Sequence, residues 1–172
     1  MKIRNTILKL CILLFICMPI KANAGELEIN THDINDKKSQ IIMLDSKEAE
    51  KIHMEYIQKE GIAPYSDLAM STIGITKGDN IIYVTYTTRS RQIADKIGVR
   101  NVTLQAKTGL FWETKSIYSE YEENTDTYFG GFGMTNPTEG AKYRAQCIHY
   151  AIINGAETSG YNETEAYTYT KN

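Results

Sequence analysis

Cysteine and proline are scarce: the 172 residues hold three of each, and Trp112 is the single tryptophan. Cys11 and Cys17 fall in one N-terminal apolar run, so Cys147 stands alone in the remainder. A disulfide scaffold is thereby excluded, and the domain must be held by its own packed core. The longest apolar run is the nine residues Leu10–Met18. As a helix it covers about 13 Å, less than half of a hydrocarbon core, which excludes a polytopic membrane protein. There is no basic excess either. Lys and Arg number 19 against 21 Asp and Glu, for a formal net charge of −2, so nucleic acid is not an expected partner. No Ser-His-Asp order, HExxH, CxxC or glycine-rich nucleotide signature occurs.

What is present begins with an address. Lys2, Arg4 and Lys9 precede the apolar run, and Ala22-Asn23-Ala24 supplies a small-x-small cleavage pattern. Residues 1–24 therefore read as a secretory signal peptide cleaved after Ala24, giving a secreted or extracellular protein with no stable membrane insertion afterwards. Removing Lys2, Arg4, Lys9 and Lys21, with no acid in that segment, takes the net charge from −2 to −6. A short Lys/Arg-led signal without disulfides suits a bacterial exported protein.

Residues 25–64 read as a polar lead segment, mobile up to residue 40, that carries one helix. Asp45 is placed to cap, with Glu48 three residues on. Ala49, Ile52, Tyr56 and Ile57 share a face over 46–60, and Gly61 and Pro64 end the pattern. From Tyr65 the chain turns to short alternating runs rich in Thr, Tyr, Ile and Val. The spacing predicts strands over 68–76, 81–88, 97–106, 111–118, 127–134, 143–152 and 163–170. Between Val99 and Val102 the alternation changes parity, which predicts a β-bulge at Arg100-Asn101. Asn154-Gly155 is a hairpin signal. The expected fold is mainly β: a seven-stranded immunoglobulin-type sandwich over 65–172, preceded by one amphipathic helix.

Two resemblances attach to these residues. Pro137-Thr138-Glu139-Gly140 followed by Tyr143 resembles the entry to strand F of fibronectin type III-like domains, where a tyrosine hydroxyl bonds back across the corner. The runs Ala94–Val99, Val102–Gln105 with Gly109 and Trp112, and Tyr143–Tyr150 resemble a family of small exported Gram-positive proteins of unknown function with a single such sandwich. The resemblance implies structural roles for Pro137, Gly140, Tyr143, Trp112 and Cys147, and no activity.

Candidate chemistry is sparse. Cys147 and His149 share a strand face, as a nucleophile and base would, though a lone buried cysteine is ordinarily a small hydrophobe. Glu120, Glu122, Glu123 and Asp126 read as a solvated acidic loop that could also be read as a Ca²⁺ loop. The glycines of Phe129–Gly133 read as a kinked strand beside another backbone. His32-Asp33 lies in the lead. The twelve tyrosines are the feature closest to a function, since exposed tyrosine is suited to recognition. Tyr118 with Tyr121, and Tyr161, Tyr167 and Tyr169, are the candidate contact residues. The expectation is a non-catalytic binding module for a protein or an envelope glycan, without metal or cofactor. A secreted inhibitor or immunity-type protein, and a small hydrolase using Cys147 and His149, are the alternatives.

Overall fold

The computed structural model describes residues 39–60 and 70–171. The expected signal peptide, His32-Asp33, the lead up to residue 38, Gly61 and Pro64 lie outside the described residues.

Helix α1, Ser46–Glu60, keeps the boundaries its sequence predicts. Asp45 Oδ1 accepts the N–H groups of Lys47 and Glu48 at 3.0 and 2.9 Å, satisfying two donors of the first turn. Ala49, His53 and Ile57 are buried on the inward face, with Ile52 and Tyr56 half-buried beside them. His53 was not expected among these apolar positions. The helix is preceded by a strand that the sequence did not announce, β1 (Ile41–Met43).

The remaining strands are β2 (Met70–Gly78), β3 (Ile81–Thr108), β4 (Phe111–Thr135), β5 (Lys142–Ile153), β6 (Ala156–Glu163) and β7 (Tyr167–Thr168). Seven strands are expected and seven form among the described residues, but they are cut differently. The runs at 81–88 and 97–106 are one strand of 28 residues, and those at 111–118 and 127–134 are one of 25. The acidic stretch Glu120–Asp126 is consequently not a loop but the middle of β4. The last expected strand, 163–170, is instead the end of β6 and the short β7.

All seven strands belong to one antiparallel sheet, ordered β1-β4-β3-β5-β6, with β2 on β3 and β7 on β5. β4 accompanies β3 for nearly its whole length. On its other edge β3 pairs with β2 over 81–89 and with β5 over 96–106. Between these halves, Ser90–Ile93 of β3 bulge out of the ladder opposite Asp126. The predicted bulge at Arg100-Asn101 is present against both β4 and β5. Asn101 takes φ 53° there, and its N–H donates to Ser119 Oγ at 3.1 Å. Every non-glycine with positive φ among the described residues is an asparagine: Asn80, Asn101, Asn124, Asn136 and Asn154, the side chain that best tolerates this conformation. Asn154 and Gly155, at 51° and 76°, form the two-residue hairpin expected of them.

The sheet folds over so that β2 approaches β5 and β6, and Asn162 Nδ2 donates to the Ser71 carbonyl at 2.5 Å across the seam. The core lies inside this fold. Ile73 and Ile75 of β2, Ile82, Val84 and Tyr86, then Ile97, Val99, Val102 and Leu104 of β3, meet Phe132 of β4 and Tyr143, Ala145 and Cys147 of β5. Helix α1 covers the opposite face of the first half. A Cβ on Gly74 would stand 2.5 Å from the Tyr56 ring, so the absence of a side chain there sets how closely the helix approaches. The tyrosine corner is also present: Tyr143 Oη accepts the Thr138 N–H at 2.9 Å, and Pro137 is buried beside it.

Candidate functional site

Strand alternation sorts the candidate residues. On the inner face of β5, Cys147 and His149 are 1 and 0% exposed. Their Sγ and Nε2 atoms lie 3.1 Å apart. Thr88 Oγ1 lies 2.7 Å from His149 Nδ1 and donates its hydrogen to the Gly98 carbonyl at 3.0 Å. A hydroxyl has one hydrogen to give, so Thr88 accepts from His149 Nδ1–H. His149 Nε2 is then the acceptor of the thiol hydrogen. The chain of bonds holds a neutral thiol and a neutral imidazole. Burial acts in the same direction: it pushes the Cys147 thiol up to about 12 and holds His149 down near 4, with nearby His53 adding to the latter. His53, between Thr85 Oγ1 at 3.0 Å and Thr72 Oγ1 at 2.7 Å, is likewise lowered to about 4 by burial.

The acidic residues do not converge. Glu120 and Glu122 face one side of β4, Tyr121 and Glu123 the other. Glu120 instead collects tyrosines. Its Oε2 accepts the hydroxyls of Tyr128 at 2.6 Å and Tyr86 at 3.1 Å, and Tyr86 Oη is 2.5 Å from Tyr118 Oη. The Tyr86 and Tyr128 rings stack at 6.1 Å. Desolvation raises all three phenols above their ordinary value. Tyr118 is thus drawn into an interior cluster and does not join Tyr121 on the surface. No group of three potential metal ligands exists among the described residues.

Of the other expected contact residues, Tyr169 is buried (1% exposed). Tyr167 is half-buried and lines a cleft of about 500 Å³ between β2 and the β6–β7 segment, with Tyr56, Glu60, Ser71 and Glu165. Among the described residues Tyr121 and Tyr161 are the two tyrosines that stand out, at 50 and 58% exposure. Both lie on the outer face of the second half of the sheet. There, successive rungs read Tyr121–Gly98–Tyr150, then Arg100–Ile148–Tyr161, then Ile117–Thr103–Gln146–Glu163, then Gln105–Arg144.

Cations are laid on the rings of this face. Lys96 Nζ is 3.5 Å from the Tyr121 centroid, the Arg100 guanidinium 5.3 Å from Tyr150, and that of Arg144 4.4 Å from Trp112. Arg100 is also paired with Glu157 at 2.7 Å and Arg144 with Glu163 at 2.6 Å. Tyr161 Oη donates to Glu163 Oε2 at 2.6 Å, which raises that phenol to about 12. Ile117, 59% exposed, adds apolar area. Sequence reasoning found Tyr121 and Tyr161 but missed Tyr150, Trp112 and the three cations as their neighbours. Strand parity carried forward through the Arg100-Asn101 bulge would have found them.

No family model, curated protein or solved structure matches the chain.

Proposed function

We propose that the protein is an exported, non-catalytic interaction module that holds a protein partner on the outer face of β3, β4, β5 and β6. The observation that carries this reading is the joint exposure of Tyr121 and Tyr161 on one rigid sheet face, among Lys96, Arg100, Arg144 and Trp112. Tyrosine, tryptophan and arginine are the residues on which interface energy concentrates. A protein is favoured over a glycan because cations occupy the ring faces on which a sugar would stack. The neutral, enclosed state of Cys147 and His149 supports the non-catalytic reading. The N-terminal charge and cleavage pattern supports export. The Tyr143 corner supports a fibronectin type III-like placement of the domain.

The test is capture from the producing cell's envelope and culture supernatant with wild type and a Tyr121→Ala/Tyr161→Ala variant. Wild type should retain a stoichiometric protein partner, and the variant should lose it by at least about tenfold, as two interface anchors imply. Retention on wall or glycan material by both forms would overturn the reading.

A further inference from the structure

The apex of the β3–β4 ribbon projects beyond that recognition face, past Trp112 at its edge. β5 leaves β3 at the pair Ala106–Tyr143, while β3 and β4 continue for two more rungs, Lys107–Trp112 and Thr108–Phe111. The turn Gly109-Leu110 closes them. Leu110 and Phe111 are the most exposed large apolar residues described, at 89 and 78%. Behind them stands the rung of Trp112 and Lys107, and Lys142, the first residue of β5, lies one position before the last β3–β5 pair, Ala106–Tyr143, where it pairs with Thr168 of β7. The one acid of the tip, Glu113, is bridged to Lys115 at 3.0 Å.

From these observations we infer that the hairpin tip docks reversibly into an anionic phospholipid surface. Leu110 and Phe111 enter the acyl boundary, Trp112 sits at the interface, and Lys107 and Lys142 meet lipid phosphates. Three observations select a bilayer as the occupant. The tip lies about two residues, or roughly 7 Å, beyond the Trp112 rung, which matches the ~5–10 Å depth of interfacial insertion. An apolar apex backed by a rung that carries both tryptophan and lysine matches the environments met on leaving a membrane, acyl chains and then the headgroup interface. Two side chains on a narrow turn cannot supply the ~800 Å² per partner that a stable protein interface or a second copy needs. No helix among the described residues is long and apolar enough to cross a membrane, so contact of this kind is peripheral.

Because Trp112 is the only tryptophan, its emission reports on the tip whatever the N-terminal apolar run does. The purified chain is titrated with phosphatidylcholine vesicles, with and without about one-third phosphatidylglycerol, some carrying brominated acyl chains. With anionic vesicles the emission should shift to the blue and be quenched by bromine. Pure phosphatidylcholine should give a response at least several-fold weaker. A Leu110→Asp/Phe111→Asp variant should abolish the response with its thermal midpoint unchanged, because neither side chain touches the core. An Ile93→Asp variant, at another exposed apolar site (69%), should respond as wild type. No shift with anionic vesicles, equal response to both compositions, or an undiminished response in the tip variant would each overturn the inference.

Discussion

Cys147 donates its thiol hydrogen to His149 Nε2, 3.1 Å away, and the bond series runs on through Thr88 to the Gly98 carbonyl. Its direction is fixed from the far end, because Thr88 spends its one hydrogen on a backbone oxygen. An ion pair of thiolate and imidazolium would leave the Thr88 end unchanged and reverse the Cys147–His149 bond alone, and burial opposes both of its charges.

Native Cys147 should therefore be inert. Its peptide, followed by mass spectrometry after exposure to a thiol reagent at pH 8, should show negligible labelling in the folded protein and complete labelling in denaturant. The thiolate is the reactive form, and burial holds the thiol near 12. Rapid native labelling would contradict the bond series.

Acid should weaken the fold through two histidines. His53 and His149 are lowered from 6.5 to about 4, so below pH 6.5 the unfolded chain binds protons that the folded chain refuses. The stability is fully present above pH 6.5 and is lost as pH falls through about 4. At 1.36 kcal/mol per unit, each histidine accounts for about 3 kcal/mol at most. Urea midpoints measured from pH 7.5 to 4 should fall along this window. His53→Gln or His149→Gln should flatten the slope while lowering stability at neutral pH.

Two glycines should answer differently to alanine. A Cβ on Gly98 would lie 2.1 Å from the Glu120 carbonyl oxygen, whereas a Cβ on Gly109 meets nothing within 4 Å. Gly98→Ala must separate β3 from β4 and should cost about 3 kcal/mol or more. Gly109→Ala should cost only about 1–2 kcal/mol, the strain of its φ of +61°. Equal costs in urea titration would mean that the ribbon relaxes around Gly98.

Local features were the ones legible in the sequence. Asp45 starts the helix, Asn154-Gly155 turns the chain, the parity change marks the bulge, and Tyr143 forms its corner. Each is decided by residues a few positions apart. The continuity of β3 and β4 was hidden because Arg89–Gln92 and Glu120–Asp126 look like loops. Along Glu120–Glu123 a partner strand lies alongside, and charged side chains project from the ladder without interrupting its hydrogen bonds, while Ser90–Ile93 leave it as a bulge and β3 rejoins at Ala94. Glu120 reads as solvated until Tyr86, 34 residues away, and Tyr128, eight residues on along the same strand, are placed against it. His53 likewise becomes a core residue only once Thr72 and Thr85 supply its polar partners. The recognition face was half legible: its tyrosines were named, but the cations that lie on its rings come from strands paired across long separations.

The long ribbon has a consequence for how the chain reaches this state. Its rungs are nested around Gly109-Leu110, so each pair that forms shortens the loop the next must close, from Thr108–Phe111 out to Ile81–Thr135. β3 and β4 can close as a zipper from the turn outward, bringing distant ends together by a series of short searches. The hairpin end that adds nothing to the finished core is then the point from which the sheet is assembled.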